Sequence, residues 1–587
     1  MASVWAELKR RNVVKVAVAY AIVGWLVIEV ASTVFPLLQL PDWTATFVTM
    51  LLILGFPVAL ILSWAYELTP DGMKRSHEVP TTESITHVTG RKIDFAIIGA
   101  LVLALGFVVY NYVLEDGSRE ATEVASVLPN SVAVLPFENL SPDPDNAYFA
   151  AGVHEEVLNQ LAKLSELNVI ARTSMMQYAA GDKSIPQVAE ELNVQTVMEG
   201  SVRYADDRVL VTAQLIDPET NAHLWSDSYN RAFADVFAIQ FDIAMNIANA
   251  LEAEFSLEEQ ASIEAVPTDS PEAYAVYLRA LSSAASGFFD STLELLDAAI
   301  RLDPDFALAY ARKALFLANA ITGNAPDQQA DIEQITQDSA ERALALDPTL
   351  GEAHAALAFV HQVHWRWDEA EREFEEALRL SPNDAEILSQ YSRTKRYRGE
   401  YDDAVGIARR AAELDPQSSW SHYFLGICYR YAGDFDAAAE SFRAAIEINP
   451  AIGNRHAQLA FAEISRGNWA EALTELQVAE QLYGEDIGSI RIPQLANAYA
   501  QMDRQDDVER LFNALNERAE NSPVNPALWA LMYIALEGYD QALEWLEIAI
   551  DDRAPDLVTL GDIKGNPFAN PVLDEPRFQA LRARIGT

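Results

Sequence analysis

Proline recurs through the second half of this chain with a regular 34-residue period. The triplet Leu-Asp-Pro, or a close variant of it, ends at intervals of 44, 34, 34 and 34 residues, at Pro304, Pro348, Pro382, Pro416 and Pro450. A further 34 residues lead to Gly484, where the pattern continues without proline. A fixed period of this length is typical of repeat proteins, in which each unit packs only against its neighbours. This part of the chain is therefore expected to form an extended array.

Small residues recur with the same period. Alanine stands twelve residues before the end of successive units, at Ala370, Ala404, Ala438 and Ala472, and again five residues before it, at Ala299, Ala343, Ala377, Ala411, Ala445 and Ala479. Gly399, Gly433 and Gly467 fall where a turn between two helices would need a left-handed backbone. The pattern resembles the tetratricopeptide repeat, and the resemblance implies helix pairs stacked into a superhelix with a concave inner surface.

The array is predicted to contain about eight units over residues 271–555. The longer first interval places an insertion near Gly323–Asp331, and two degenerate units follow Gly484. Residues 556–587 resemble the segment that often follows such arrays. In that segment Phe578 and Leu581 would cover the apolar edge of the last repeat, because the exposed end of a solenoid needs covering.

The register of the repeats indicates which side chains line the concave surface. In tetratricopeptide repeats, regularly spaced positions of the first helix face inward. Three arginines and several aromatic residues occupy these positions in the candidate peptide-binding groove, which comprises Phe359, Gln362, Arg393, Arg396, Trp420, Tyr423, Ile427, Arg430, Asn454 and Phe461. Arginine forks suit carboxylates, and aromatic rings supply rigid contact area. The predicted ligand is a protein or peptide segment that is acidic or ends in a C-terminal carboxylate.

Two alternatives remain open for this surface. The arginines could pair within the chain, with Glu386 or with Glu400 and Glu413. The register could also differ from the assumed one, which would turn other residues inward. Cys428 falls next to the surface and is expected to be packed, as buried free cysteine usually is.

Charge is distributed very unevenly along the chain. The formal net charge is −45, yet residues 1–114 hold eight basic and eight acidic side chains, so the remainder carries the whole deficit. A body this acidic repels phosphates, which argues against nucleic acid as a partner. The single cysteine excludes an intramolecular disulfide and a cysteine-rich zinc site.

Residues 1–114, the neutral part of the chain, contain three apolar stretches. These lie at about residues 13–38, 47–66 and 93–113. Each has the length of about 20 residues that a helix needs to cross a bilayer. Basic residues flank the first stretch and lie between the second and third, which predicts a cytoplasmic N-terminus and a periplasmic body beyond about residue 114. The sequence thus predicts a bacterial inner-membrane protein. Glu29, inside the first stretch, could be functional or could simply be protonated or hydrogen-bonded near Ser63 or Trp64.

A small α/β module is predicted between residues 1–114 and the repeat array. Ser131–Leu140 and Leu167–Arg172 have strand patterns, Gly152–Leu164 has a helical one, and Val197–Tyr204 with Arg208–Ile216 reads as a hairpin around Asp206-Asp207. Stretches such as SVAVLPFENLSPDPDNAYFAAGVHEEVLNQLAKL resemble the TolB amino-terminal-like module, which bacterial signalling and envelope proteins carry before tetratricopeptide repeats. The resemblance implies a binding module.

No motif for catalysis, a cofactor or a metal stands out. His154 with Glu155 and Glu156 lacks a second histidine at position 158, which is Leu158, so the spacing of zinc hydrolases fails and a surface helix is expected. Glycine-rich phosphate loops, G-x-S-x-G elbows and kinase signatures are absent from the sequence. We therefore expect a protein that is not an enzyme and binds no cofactor.

The predicted fold class is multidomain. It consists of a three-helix transmembrane anchor (1–114), a linker (115–129), the TolB-like α/β domain (130–256), a second linker (257–270), the repeat superhelix (271–555) and the capping segment (556–587). The expected function is a non-enzymatic inner-membrane scaffold that binds protein or peptide partners. The alternative is a sensory or regulatory subunit of a membrane signalling complex without a catalytic domain of its own, since relatives with this arrangement often carry an adenylate cyclase, kinase or winged-helix domain. The sequence does not indicate the oligomeric state.

Overall fold

The computed structural model describes residues 127–552, apart from 144–145, 182, 286–287, 320–325, 485–490 and 522, and residues 570–586 apart from 574. Before residue 127 it describes positions 20, 50, 52, 54–57, 66–69 and 72–75. The chain forms two compact units, Met1–Ala125 and Ser126–Thr587, and each is described by itself.

The described part of the first unit includes a two-stranded hairpin. Strand β1 (Tyr66–Thr69) pairs antiparallel with β2 (Gly72–Arg75), and Tyr66 lies opposite Arg75. Tyr66 is the residue at which the second predicted membrane span ends. The rest of the three predicted spans lies almost entirely outside the described residues.

The prediction of three transmembrane helices is corrected by the helices that the structure describes. None of them is both long enough and apolar enough to cross a membrane. A crossing needs about 20 predominantly apolar residues. The helix Pro326–Leu346 reaches 21 residues but has acidic residues in most of its turns. The predictions of an inner-membrane location and of a periplasmic location beyond about residue 114 depended on those three helices, so they are corrected as well.

The second unit begins with an α/β module built on a six-stranded sheet. Its strands are β3 (Leu128–Val134), β4 (Glu138–Asn139), β5 (Asn168–Val169), β6 (Val194–Ala205), β7 (Arg208–Asp217) and β8 (Ala222–Ala232). The order is β5-β3-β6-β7-β8, with β4 beside β6. The first strands pair in parallel and β6, β7 and β8 pair antiparallel. Strand β8 was not predicted from the sequence.

The hairpin predicted around Asp206-Asp207 is confirmed. Ala205 lies opposite Arg208, so the turn between β6 and β7 contains two residues. Both aspartates have positive φ, 51° at Asp206 and 59° at Asp207. Two-residue hairpin turns need this left-handed backbone, which aspartate tolerates better than most residues.

Helices cover the sheet. They are α1 (Ala147–Ala162), α2 (Arg172–Met175), α3 (Ile185–Leu192) and α4 (Val236–Ala250), followed by α5 (Leu257–Glu264), which lies within the predicted second linker. His154 and Glu156 on α1 are 1% and 2% exposed, so the expectation of a surface helix is wrong. His154 Nε2 lies 2.8 Å from the Val134 carbonyl oxygen, and burial lowers the pKa of His154 to about 4.

The repeat array contains eight helix pairs in the described residues. In chain order the pairs are α6–α7 (Pro271–Ala285, Phe289–Leu302), α8–α9 (Ala307–Ala318, Pro326–Leu346), α10–α11 (Gly351–Val363, Trp367–Leu380), α12–α13 (Ala385–Arg398, Tyr401–Leu414), α14–α15 (Ser419–Ala432, Phe435–Ile448), α16–α17 (Gly453–Ser465, Trp469–Tyr483), α18–α19 (Arg491–Gln501, Gln505–Asn521) and α20–α21 (Pro526–Ala535, Tyr539–Asp551). The longer 44-residue interval is accommodated partly by α9, which has 21 residues.

Close helix approach explains the small residues of the repeat. A Cβ atom built on Gly426 of α14 would lie 2.6 Å from the ring of Phe442 on α15, a distance that real contacts do not reach. The alanines predicted to lie between the helices, such as Ala404 and Ala438, are completely buried. Gly399, Gly433 and Gly467 have φ of 83°, 86° and 80°, which confirms their placement at left-handed turns.

The C-terminal helices α22 (Asn570–Leu573) and α23 (Pro576–Ile585) cover the last repeat. Phe578 and Leu581 are 0% and 4% exposed and share an apolar cluster with the buried face of α21. The same helix reaches an earlier repeat, because the indole of Trp367 donates a hydrogen bond of 2.6 Å to the Ile585 carbonyl oxygen. The capping segment therefore contacts two repeats that are distant in sequence.

The α/β module and the array share a continuous core. One apolar cluster extends from the sheet through α1 and α4 to the first repeat and the start of the second, and it includes Tyr274 and Phe306. A Cβ on Gly152 would come within 2.8 Å of the Leu278 side chain, so α1 and α6 are in direct contact. Further along, the Ala171 N–H donates to the Leu414 carbonyl oxygen at 2.7 Å. The module is thus packed along the array.

Asp415 connects the module to the array. Its Oδ1 accepts a hydrogen bond of 2.6 Å from the Ser174 hydroxyl, which itself accepts from the Gln417 N–H at 2.9 Å. Burial raises the pKa of Asp415 to about 6, although hydrogen bonds from Ser174 and Ser418 oppose the shift. The folded protein therefore takes up a proton here at a pH where the unfolded chain does not.

We expect Asp415→Asn to change how stability depends on pH. Between pH 4 and pH 6 the folded state binds more protons at Asp415 than the unfolded state, so this residue's contribution to stability falls as pH rises. The variant, neutral throughout, should gain about 2 kcal/mol relative to wild type between pH 4 and pH 7. Urea unfolding at several pH values measures this gain. The exposed Asp402→Asn serves as the control, and a difference that is constant with pH would contradict the expectation.

Candidate peptide-binding surface

The predicted groove residues lie on the first helices of four consecutive repeats. Phe359 and Gln362 are on α10, Arg393 and Arg396 on α12, four members on α14 and two on α16. Seven of the side chains on these helices stack as an arginine–aromatic stripe, which comprises Phe359, Arg393, Tyr397, Arg396, Tyr431, Arg430 and Phe461. Tyr397 and Tyr431 were not among the predicted groove residues.

Cation–π contacts join the repeats along this stripe. The Arg393 guanidinium lies 4.9 Å from the centre of the Phe359 ring in the preceding repeat. Arg396 lies 4.6 Å from the Tyr431 ring, and Arg430 lies 5.6 Å from the Phe461 ring, each in the following repeat. Stacking of this kind holds a guanidinium plane in one orientation and contributes about 0.5–2 kcal/mol per contact.

A hydrogen-bond pair further orients Arg393. The Gln362 side-chain amide is oriented so that both its oxygen and its nitrogen form hydrogen bonds. The oxygen accepts from Arg393 Nη2 at 2.7 Å and from Arg393 Nε at 3.2 Å. The same amide donates to Thr394 Oγ1 at 2.8 Å. Gln362 therefore acts as a positioning residue in the predicted groove.

Burial divides the predicted groove residues into two groups. Phe359, Gln362, Arg396, Ile427 and Arg430 are buried, which places them between the repeats. The remaining five are half-buried or exposed, and a ligand can reach them from solvent: Arg393, Trp420, Tyr423, Asn454 and Phe461. Trp420 is the most open of these, with 58% of its surface exposed.

Sequence reasoning missed Arg455, which completes a second cluster. Its guanidinium lies 4.3 Å from the ring centres of both Trp420 and Tyr423. Arg455 is 2% exposed, and burial lowers its pKa. We call Trp420, Tyr423, Asn454 and Arg455 the tryptophan cluster. A signal was present in the sequence, because Arg455 adjoins the predicted Asn454, but the assumed register did not turn it toward the groove.

Two polar atoms of the tryptophan cluster are buried without a hydrogen-bond partner among the described residues. One is Arg455 Nη2, and the other is Asn454 Oδ1. One other atom of each side chain is engaged, since Arg455 Nε donates to Ser419 Oγ at 3.4 Å and Asn454 Nδ2 donates to the Tyr423 hydroxyl at 2.9 Å. An unsatisfied buried donor or acceptor costs about 1–3 kcal/mol, which a ligand supplying the partner would recover.

The acidic residues named as alternative partners make contacts outside the stripe. Glu400 pairs with Lys395 and Arg398, each at 2.8 Å. Glu413 lies 3.7 Å from Arg410, and Glu386 accepts a hydrogen bond of 2.6 Å from Asn319. These contacts identify cations and amides outside the stripe as partners of the three carboxylates.

Comparison with known proteins identifies the repeats. The family model described as tetratricopeptide repeat matches residues 351–384 and again residues 419–451. The chain therefore contains tetratricopeptide repeats, as the 34-residue period predicted. The matched segments comprise the helix pairs α10–α11 and α14–α15, which carry Phe359 and Trp420.

One curated relative and several solved structures are similar to parts of the chain. "Putative adenylate cyclase 3" of Rhizobium meliloti (strain 1021) is 33% identical over 276 residues, which are 45% of this chain and 46% of the relative, so the chain spans less than half of that protein. The structure of YrrB, titled a TPR protein with an unusual peptide-binding site, is 21% identical, with a TM-score of 0.26, over 33% of this chain and 94% of YrrB. The Pseudomonas aeruginosa PilF structure is 18% identical, with a TM-score of 0.30, over 37% of this chain and 95% of PilF.

Proposed function

We propose that the chain is a non-catalytic scaffold that binds an acidic peptide segment, or a C-terminal carboxylate, at the tryptophan cluster and the adjoining arginine–aromatic stripe. The observation that carries the proposal is the buried Arg455 guanidinium, held between two rings with Nη2 lacking an acceptor among the described residues. A carboxylate oxygen supplies that acceptor when the exposed Trp420 ring, which stacks on the buried guanidinium, moves aside. Charge-assisted hydrogen bonds of this kind are roughly twice as strong as neutral ones.

The neighbouring side chains suit a peptide main chain. Asn454 Oδ1 needs a donor, and a peptide N–H is one. The exposed Trp420 and half-buried Phe461 offer apolar area on either side. Rigid aromatic and arginine side chains of this type are enriched where protein partners bind most tightly.

The stripe can contact an extended ligand at more than one of its residues. It runs over four repeats, and stacking fixes the orientation of each guanidinium before a ligand arrives. Preorganised groups lose less conformational entropy on binding, which favours affinity. An extended segment could therefore contact Arg393 and the tryptophan cluster together.

The α/β module is proposed to be TolB amino-terminal-like and to bind partners without catalysis. Support comes from the order of its strands and helices and from the sequence stretch SVAVLPFENLSPDPDNAYFAAGVHEEVLNQLAKL. A second candidate function is a regulatory role in a signalling complex. The name of the Rhizobium meliloti relative favours it, since that protein is called a putative adenylate cyclase.

Arg455→Met is expected to weaken binding of carboxylate peptides by at least tenfold, because it removes the donor and keeps the side-chain volume. The probe is an array of ten-residue peptides that end in aspartate or glutamate with a free C-terminus, each paired with an amidated version in which asparagine or glutamine replaces that last residue, applied to the full-length chain. Wild type should retain the free acids about tenfold more tightly than the amidated, neutral versions, which corresponds to about 1.4 kcal/mol.

Arg301→Met, on the exposed surface of α7, is the matched control and should bind as wild type does. If Arg455→Met unfolds at a lower temperature than wild type, Trp420→Ala replaces it, because the exposed Trp420 contributes little to the core. Equal binding of free and amidated peptides by wild type would overturn the carboxylate proposal, as would unchanged binding by a folded Arg455→Met.

A further inference from the structure

A cavity of about 280 Å³ lies between the α/β module and the first repeats. Its walls come from α1, the end of α5 and the segment after it, the start of α8, the end of α9, the start of α10 and the turns before α8, before α10 and between α11 and α12. One part of the wall is apolar, with Val266, Pro267, Leu308 and Leu350. The tryptophan cluster takes no part in the cavity.

Acidic side chains dominate the polar part of the wall. Five carboxylates line the cavity, from Glu156, Asp305, Asp347, Glu352 and Asp384. Lys163 is the basic residue among the lining side chains. Its Nζ donates to Gln160 Oε1 and to the Ser262 carbonyl oxygen, each at 3.1 Å. The cavity therefore has an excess of negative charge.

Two of these carboxylates each leave one oxygen without a donor among the described residues. Glu156 is 2% exposed; its Oε1 accepts from Gln160 Nε2 at 2.8 Å, whereas the buried Oε2 has no hydrogen-bond partner. Glu352 Oε1 lies 2.6 Å from Arg312 Nη2, and its Oε2 is likewise buried and without a partner. A buried carboxylate oxygen without a hydrogen-bond donor raises the free energy of the folded protein. The site therefore favours an occupant that donates hydrogen bonds.

A metal ion does not fit this arrangement. Within the described residues, no group of three or more histidine, cysteine, aspartate or glutamate side chains is placed to hold one. The donor must therefore be an organic cation or a neutral polar molecule. The apolar wall and the five carboxylates together favour a molecule with a positively charged head and a short hydrocarbon body.

We propose that this cavity binds a small primary aliphatic amine, whose ammonium group donates to Glu156 Oε2 and Glu352 Oε2 while its hydrocarbon chain packs against Val266, Pro267 and Leu308. An ammonium group has three donors, which matches two orphaned oxygens with one to spare for solvent or a neighbouring carboxylate. The volume of 280 Å³ leaves room for several methylene groups.

Binding would connect two parts of the second unit. Glu156 belongs to α1 of the module and Glu352 to α10 of the array. An amine that contacts both bridges the module and the third repeat, and ligand binding to the folded state stabilises that junction. The amine then acts as a ligand that strengthens the docking of the module on the repeats.

Isothermal titration of the full-length chain with n-butylamine at 150 mM NaCl tests the proposal. Saturable binding is expected, and Glu156→Gln should weaken it at least tenfold. Glu254→Gln, which removes one exposed carboxylate outside the cavity, controls for general attraction to an acidic protein and should leave binding unchanged. Two further probes separate the contribution of the positive charge from that of the N–H donors. 1-Butanol lacks the charge, and tetramethylammonium has the charge without N–H donors. Both should bind at least tenfold more weakly.

Glu352→Gln provides a second variant if Glu156→Gln does not fold, and circular dichroism decides which of the two is used. Binding of n-butylamine that is equal in wild type and in a folded cavity variant would overturn the proposal. No saturable binding to wild type, or tetramethylammonium binding as tightly as n-butylamine, would also overturn it. None of these outcomes bears on carboxylate peptides at the tryptophan cluster, because the two sites share no residue.

Discussion

Phe442→Ala is expected to lower the free energy of unfolding by about 3–5 kcal/mol, the range for removing a large aromatic side chain from a packed core. Phe442 is completely buried and packs with Ile427, Leu459 and Ala462 between two repeats. Its ring fills the space that Gly426 leaves open on the facing helix. Because repeats are stabilised by their neighbours, the loss should affect α14 and α15 most.

Chemical unfolding measures the total loss, and amide hydrogen exchange locates it. Phe288→Ala is the matched control, since Phe288 is 64% exposed and its removal should change stability by less than about 0.5 kcal/mol. Gly426→Ala adds a complementary test. It should destabilise the wild-type protein but cost much less when Phe442 is already alanine, because the added methyl group then has room. A Phe442→Ala protein as stable as wild type would show that α14 and α15 do not pack as described.

Arg312→Met is expected to cost about 3–5 kcal/mol at pH 8, because it leaves Glu352 as a buried charge without its cation. Burial already raises the pKa of Glu352 to about 7, although Arg312 opposes the shift. Without Arg312 the pKa should rise further. The variant is therefore expected to recover much of its stability at pH 5, where Glu352 can be protonated in the folded state.

Unfolding curves at pH 5 and pH 8 measure this dependence. The double variant Arg312→Met/Glu352→Gln should regain most of the loss at pH 8, since it removes both charges together. Arg342→Met is the control, because Arg342 and its partner Asp305 are largely exposed and such pairs contribute about 0–1 kcal/mol. A loss that is equal at both pH values, with no recovery in the double variant, would contradict the assignment of Glu352 as the buried charge.

Local sequence pattern was sufficient for the elements whose cause is local. The prolines, alanines and glycines of the 34-residue period depend on contacts within one repeat, so Gly399 and Ala404 could be placed without knowledge of the fold. The turn at Asp206-Asp207 likewise depends on two residues. Strand β8 was missed because it is mostly exposed and polar, so it lacks an apolar alternation of its own, and its place in the sheet comes from pairing with β7.

The candidate site could be predicted only in part for the same reason. The repeat register placed Arg393, Arg430 and Trp420 on first helices. Which of the groove side chains a ligand can reach depends on their burial between repeats, and only the structure shows that burial. Arg455 was missed because its importance lies in the two rings of the preceding repeat. Whether these residues bind a carboxylate stays a prediction.

The amino-acid sequence alone specified the repeat, its length, its turns and the residues on its first helices, since each of these follows from contacts a few residues apart. Hydropathy predicted membrane helices at residues 13–38, 47–66 and 93–113, most of which lie outside the described residues, and none of the described helices is long and apolar enough to cross a membrane. Only the tertiary structure decided that His154 and Glu156 are buried, that Trp367 contacts Ile585, and that an acidic cavity separates α1 from α10. Those features join residues far apart in the chain, and the packing that brings them together leaves no periodic pattern in the sequence.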